Sequence, residues 1–235
     1  LLNNLIIDAL DRLENVENGF RAKAFNANRL LSIGVSKHLM HCFGASLVAK
    51  FDFIDFTFGN NDELFNLVNS KKLDVAIVTK QYDTFDTHQQ KVGAIKQVVV
   101  ATPDIPIQEL TAKIKAENWT AVENWLNEQR WFSNDSGIPH IKLFWLYVFN
   151  KKRPAIVANY IIPSENEMLS ILAQNTGVTI VWDCNAKTKI QNKELQLVWD
   201  SPKMPEKPVF LLSGKNNQLT TITQEVASVL KEVLG

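Results

Sequence analysis

The sequence predicts an α/β fold built from two successive strand-and-helix units, and three observations carry that prediction. Strand-like apolar runs alternate with helical patterns between residues 30 and 79. The last of these runs, 73–79 (LDVAIVT), is the continuous kind found in strands covered on both faces of a parallel sheet. The alternation then resumes, with a different spacing, beyond Thr102-Pro103. Strand, helix, strand, helix, strand is a βαβαβ unit, whose crossovers put helices on the sheet faces.

The first element is a heptad seam. Leu2, Ile6, Ala9, Leu13, Val16 and Phe20 recur at alternating spacings of four and three, with Asp8, Asp11, Arg12, Glu14 and Glu17 between them. That pattern fits either an amphipathic helix folded onto its own domain or one that pairs with its copy in a dimer. The chain starts inside this pattern, without a methionine, so a longer protein is expected. Residues 30–35 read as a buried strand, and Ser36 as the cap of a helix through Leu39, Met40, Phe43, Leu47, Val48 and Phe51. Residues 53–58 alternate as a strand, Gly59-Asn60-Asn61 turns, and 62–69 form a helix capped at Asp62. In open sheets of this kind ligands collect beyond the carboxyl ends of the strands, where helix N-termini offer free amides. Ser36 and the amides after it are therefore expected to face a small ligand, an anion among the candidates.

In the second unit, 98–101 is a strand, 107–129 is mostly helical, and 130–133 is a short strand ending in the polar loop Ser133-Asn134-Asp135-Ser136-Gly137. Residues 141–149 are apolar and fit helix or strand. Residues 155–162 read as a strand, and Ser164 with Glu167 as a capping box for a helix through Met168, Leu169, Ile171 and Leu172. Strands at 178–182, 195–199 and 209–212 and a terminal helix at 219–234 complete the pattern.

Composition excludes several functions. At 235 residues, 46% hydrophobic and 21% charged, the chain is an ordinary globular one. No apolar stretch reaches the roughly 18 residues of a membrane span. Lys+Arg and Asp+Glu are both 25, with no basic stripe of the kind that follows a phosphate backbone, so these residues alone are not expected to grip DNA. No nucleophile elbow, phosphate-binding glycine loop or zinc-protease helix is present. Cys42 and Cys184 are the two cysteines, a usage that suits a reducing cytoplasm better than a disulfide framework.

Several segments, taken in order, resemble the effector-binding region of LysR-type transcriptional regulators. They are Leu31-Ser32-Ile33-Gly34, then Gly59-Asn60-Asn61-Asp62-Glu63-Leu64, then Lys72-Leu73-Asp74-Val75-Ala76-Ile77-Val78, where Lys72 replaces the family's glycine. Further on, Glu167-Met168-Leu169 and Thr176-Gly177-Val178-Thr179-Ile180 resemble a helix and strand of the second lobe. The proline usual before the second strand is absent, and Trp182-Asp183 stands where the family's second-lobe strand ends in proline. The resemblance implies two Rossmann-like lobes joined by two crossing strands, the type 2 periplasmic-binding-protein fold, preceded by a linker helix. It divides the chain into a dimerisation helix (1–25), lobe I (29–102 plus 213–235) and lobe II (103–212), with hinges at about 101–106 and 209–214.

It also implies a cytoplasmic, non-enzymatic ligand sensor. Its partners would be a small-molecule effector, copies of the chain in a dimer or tetramer, and DNA through a helix-turn-helix domain outside this sequence. No cofactor or metal is implied. Carried over by position, the effector-binding residues are Ser36 and Lys37, Asn60 and Asn61, Ser133, Asn134 and Asp135, and Ile162 and Ser164. The competing reading of Ser36 and Ser164 is capping alone, and of Lys37 a solvated cation. His38, His41 and Cys42 share one helix at metal-ligand spacing, but no second cluster completes a site, and a half-buried helix face is the expected outcome. A Cys42–Cys184 bridge is not expected, because the two thiols are assigned to different lobes. The six tryptophans all fall in the second unit, as core with one or two lining the cleft. The alternatives are a transporter's solute-binding protein and an enzyme on the same fold.

Overall fold

The computed structural model describes residues 30–83, 87–214 and 220–234; the heptad helix expected at 1–25 lies outside them. Two sheets organise the chain. In the first, strands β1 (Leu31–Val35), β2 (Ile54–Phe58) and β3 (Val75–Val78) run parallel. Strand β10 (Lys207–Gly214) returns antiparallel between β3 and β4 (Thr87–Ile95), so the order is β2-β1-β3-β10-β4. The second sheet has the order β8-β5-β9, with β5 (Gln97–Ala101) antiparallel to both β8 (Val178–Trp182) and β9 (Gln196–Trp199). A small parallel pair, β6 (Phe132–Ser133) with β7 (Tyr160–Ile161), continues beside β8 through the bridge from Trp131 to Val178.

Both sheets are covered on both faces, which is why β3 and β5 are buried at every position and read as unbroken apolar runs. On the first sheet, α1 (Lys37–Lys50) and the C-terminal α8 (Thr220–Leu234) pack on one face through Leu39, Phe43, Leu47, Val226 and Leu230. Helix α2 (Asn61–Asn69) covers the other face with Leu64 and Val68. On the second sheet, α3 (Gln108–Lys115), α4 (Trp119–Asn127) and α5 (Pro139–Phe149) enclose Trp131, Phe144 and Trp145. Helices α6 (Glu165–Leu172) and α7 (Asp183–Gln191) close the opposite face over Phe132, Leu169 and Leu172.

Several expectations change. The helical stretch 107–129 is two helices, because Glu117 turns left-handed (φ 52°) and Asn118 caps the second through the Ala121 amide. The ambiguous 141–149 segment is helical, opened by Pro139 at its first turn. Of the strand expected at 155–162 only Tyr160–Ile161 pairs. Strand β4 and helix α7 had no sequence signal. The first is an edge strand of mixed polarity and the second buries only Ala186, so neither carries a clean period. The crossings also move. The chain changes sheet at Lys96 and again between Trp199 and Lys207, which puts residues 97–101 with the second sheet and 207–212 with the first. Backbone pairing decides this, and apolar content does not reveal which sheet a strand joins.

Gly177 precedes β8 where backbone and ring leave no room. A Cβ there would meet the Arg130 carbonyl at 2.8 Å and the Phe132 ring at 2.7 Å. Its own amide and carbonyl also pair with Thr102. Gly177→Ala is expected to cost about 1–3 kcal/mol of stability in urea unfolding; an unchanged midpoint would show that the carbonyl yields freely.

Candidate functional site at the lobe seam

The parallel pairing of β1 with β2, in register from Leu31↔Ile54 to Val35↔Phe58, brings their carboxyl ends to one edge of the first sheet. Ser36, Lys37, Asn60 and Asn61 therefore gather there. Ser36 is the N-cap of α1 in extended backbone, but its hydroxyl makes no capping bond and pairs instead with His38 Nδ1 at 3.1 Å. Ser36 thus gives the first-turn amides of α1 no side-chain acceptor, and among the described residues no other side chain supplies one, the arrangement that favours an anion at a helix N-terminus. Asn60 is the true cap of α2. Its Oδ1 accepts from the Asp62 and Glu63 amides at 3.0 Å, and Glu63 Oε2 accepts from the Asn60 amide at 2.8 Å. Asp62, expected as the cap, instead pairs with Lys80 at 2.6 Å and accepts from the Tyr82 hydroxyl at 2.8 Å. These two bonds hold its carboxyl below the usual range. Asn61 ties α2 to the end of β3, its Oδ1 accepting from the Thr79 amide at 3.0 Å.

In the second lobe the parallel β6–β7 pair sets Ser133, Asn134 and Asp135 beside Ile162 and Ser164, with the Ile162 amide donating to the Ser133 carbonyl at 2.9 Å. Ser133 is buried, and its hydroxyl donates to the Asp135 carbonyl at 2.8 Å; Asp135 Oδ1 in turn accepts from the Gly137 amide. Ser164 starts α6 without a side-chain cap, so the capping box expected with Glu167 is not formed. The next residue, Glu165, turns inward and accepts from Asn185 Nδ2 at 2.7 Å.

Between the two sets lies a cluster that the sequence does not announce. Trp182, at the end of β8, stacks near His38 of α1 (ring centroids 6.1 Å) and meets His140 of α5 edge-on at 6.0 Å. Lys207, first residue of β10, places its ammonium 5.6 Å from the Trp182 ring centre. His140 Nδ1 lies 3.2 Å from the Ile180 carbonyl, which assigns the proton to that nitrogen. Burial, reinforced by the positive charge of Lys207, pushes the His38 pKa down to about 4. His38 is therefore a neutral ring in an electropositive seam, and it joins Ser36 to the second lobe through Trp182. Its four components are scattered along the chain, so no spacing rule could have found them.

The depressed His38 value implies acid sensitivity. Between pH 6.5 and about 4 the unfolded chain binds a proton that the folded chain refuses, so stability falls as pH drops through that window and is unaffected above it. With solvent screening allowed for, the loss should be about 1–2 kcal/mol. His38→Gln is expected to flatten this part of the stability profile in urea titrations at successive pH values. An unaltered slope would place the acid sensitivity elsewhere.

At the crossings, Lys96 pairs with Asp200 at 2.6 Å, and this bond raises its pKa. Its carbonyl accepts from the Asp183 amide at 2.9 Å. Burial raises the Asp183 carboxyl, partly offset by the Cys184 and Lys96 amides. Residues from both crossings and the start of α7 are thus tied at one point.

Beside them the structure overturns the expected separation of the cysteines: Cys42 and Cys184 are bonded, with Cα atoms 5.2 Å apart. The reason is packing. Trp182 and Cys184 belong to the second-lobe chain but press against the first-lobe core, which brings the start of α7 onto α1. Cys42 is thereby withdrawn from the ligand trio considered with His38 and His41. Among the described residues no group of three or more His, Cys, Asp or Glu is placed to hold a metal.

Two cavities flank this bond, of about 300 Å³ beside Lys96 and Asp183 and about 530 Å³ between α1, α7 and α8. Neither is lined by any of the nine residues expected at the effector site. No helix among the described residues is long and apolar enough to cross a membrane.

Comparison with known proteins gives a consistent pattern. The family model described as the LysR substrate binding domain matches residues 28–235. ArgP from Mycobacterium tuberculosis is similar in structure at TM-score 0.61 and 13% identity, over 97% of this chain and 75% of that one. The reduced form of the regulatory domain of OxyR2 from Vibrio vulnificus is similar at TM-score 0.58 and 12% identity, over 88% and 96%. Full-length LTTR LysG from Corynebacterium glutamicum with bound effector Arg is similar at TM-score 0.58 and 10% identity, over 98% and 75%. No curated protein matches in sequence. At these identities the structural likeness establishes the fold, two α/β lobes of the type 2 periplasmic-binding-protein class.

Proposed function

Since the chain belongs to the LysR substrate-binding-domain family, we propose that it is the sensing part of a cytoplasmic, non-enzymatic transcriptional regulator that binds a small anionic effector between its lobes. The observation that carries this reading is the contact of His38 with Trp182 across the seam, with Ser36, Lys207 and the uncapped first turn of α1 beside it. A carboxylate placed there would receive α1 amides and the Lys207 ammonium, while Trp182 offers a flat apolar wall. Ser36 and Lys37 on the first lobe, with Ser133, Asn134, Asp135, Ile162 and Ser164 on the second, form the rims. Asn60 and Asn61 contribute by shaping the neighbouring edge.

Signal transmission follows from linkage. An effector shifts the assembly only by binding one lobe arrangement better than another. Copies of the chain in a dimer or tetramer, and a DNA-reading domain outside these residues, would receive that shift.

The test is a screen of small carboxylates by tryptophan fluorescence, followed by calorimetry on any that bind. Ser36→Phe is expected to weaken a binder by about 100-fold or more by occupying the rim, with the unfolding midpoint held within a few degrees. Unchanged affinity would remove the site, and failure of every anionic compound while neutral or cationic ones bind would remove the charge argument.

A further inference from the structure

The disulfide joins α1 of the first lobe to α7 of the second. A change in lobe angle that parts these helices must therefore be blocked or must break the bond. Large separate cores already stabilise each lobe, so folding does not require the link as it does in small secreted domains. Both sulfurs are also reachable. Cys42 and Cys184 are half-buried and line the cavity of about 530 Å³ together, and Cys184 borders the smaller cavity too.

The reduced state also has a partner in place. Asn185 donates its Nδ2 to Glu165 at 2.7 Å, which fixes its Oδ1 toward Cys42 Sγ at 2.9 Å. A sulfur in a disulfide has no proton to give, whereas a Cys42 thiol would meet an acceptor already oriented for it.

We propose that Cys42–Cys184 is a reducible staple, which holds the lobes at a set angle when oxidised and releases them when reduced by a dithiol. The incoming thiolate enters the larger cavity and attacks Cys42 Sγ, and the bond between the two cysteine sulfurs breaks. Cys184 leaves as a thiolate, its charge favoured by the first-turn amides of α7 and by Lys187 one turn on. The reductant's second thiolate then attacks the reductant sulfur in the mixed disulfide and expels Cys42; the protons lost by the dithiol end on Cys42, whose thiol donates a hydrogen bond to Asn185 Oδ1, and on Cys184. The dithiol ends as a disulfide and the chain gains two electrons and two protons. A disulfide such as oxidised glutathione runs the exchange in reverse.

The experiment treats the purified chain with dithiothreitol and then with oxidised glutathione at neutral pH, without denaturant. Iodoacetamide labelling with mass spectrometry counts thiols, and amide hydrogen exchange follows the lobes. The expected result is no labelled cysteine before reduction, both labelled after it, and none after reoxidation. On reduction, early deuterium uptake over residues 37–50 and 183–191 rises by about threefold or more while β3 and β5 stay protected. The double variant Cys42→Ser with Cys184→Ser shows the raised uptake from the outset and ignores dithiothreitol. If that variant does not fold, the wild-type response decides alone. Labelling that needs denaturant, exchange in α1 and α7 that ignores reduction, or a bond that oxidised glutathione cannot restore would each overturn the proposal. None of these readouts involves an effector, so they fail or succeed separately from the sensing role.

Discussion

Cys184→Ser is expected to lower the stability of the chain by about 3 kcal/mol in urea under non-reducing conditions, and by almost nothing when dithiothreitol is present throughout. The bond closes a segment of 142 residues. Cross-linking so long a segment removes a large part of the denatured chain's freedom, which the folded state does not have to lose again. Wild-type protein in dithiothreitol should fall to the level of the variant, because both then lack the same constraint. Measuring both proteins with and without dithiothreitol isolates the covalent term, since the exchange of a thiol for a smaller and more polar hydroxyl shows by itself when reductant is present. Equal stability of wild type and variant without reductant would show that the denatured chain is already restricted there.

Trp131→Ala is expected to cost more, about 4 kcal/mol, with the loss concentrated in the second lobe. Trp131 is 1% exposed and meets Trp145 edge-on at 5.8 Å. Its Nε1 donates to the Leu126 carbonyl at 2.8 Å, its amide donates to Asn159 Oδ1 at 2.8 Å, and its carbonyl accepts from the Asn159 amide at 2.8 Å. One residue thus fastens α4, the approach to β7 and, through its bridge to Val178, the start of β8. Alanine would leave an indole-sized void and remove the indole's bond to the Leu126 carbonyl. Trp131→Phe, which keeps most of the volume, should cost about 1–2 kcal/mol for the lost bond and imperfect fill. Hydrogen exchange should show lost protection in β5 and β8 with β1 and β3 spared, because the first lobe has its own core. Equal loss in both sheets would mean that the lobes unfold as one unit.

The central strands β1 and β3 of the first sheet were legible because they are covered on both faces, and burial demands apolar residues at consecutive positions. The run ending at Val78 is the clearest case. Helix α2 was legible because its turn residues precede a clear apolar face, although the cap fell on Asn60 rather than Asp62. Strand β4 was not, since an edge strand has one solvated side and its pairing with β10 comes from far along the chain. The same holds for α7, whose stability comes from what it packs against rather than from its own polar sequence.

Of the residues expected at the effector site, the loop positions Ser36 and Ser133 could be placed by strand order alone. The seam between them could not, because His38, His140, Trp182 and Lys207 approach one another only after two sheets have formed and docked. What the amino-acid order determined by itself was the alternation of buried strands and amphipathic helices, since that depends on neighbours within a few residues and on which faces must avoid water. What only the tertiary structure decided was which sheet each strand joined, the electropositive setting of His38, and the meeting of Cys42 with Cys184. These depend on distances between residues remote in sequence, and local periodicity carries no information about them.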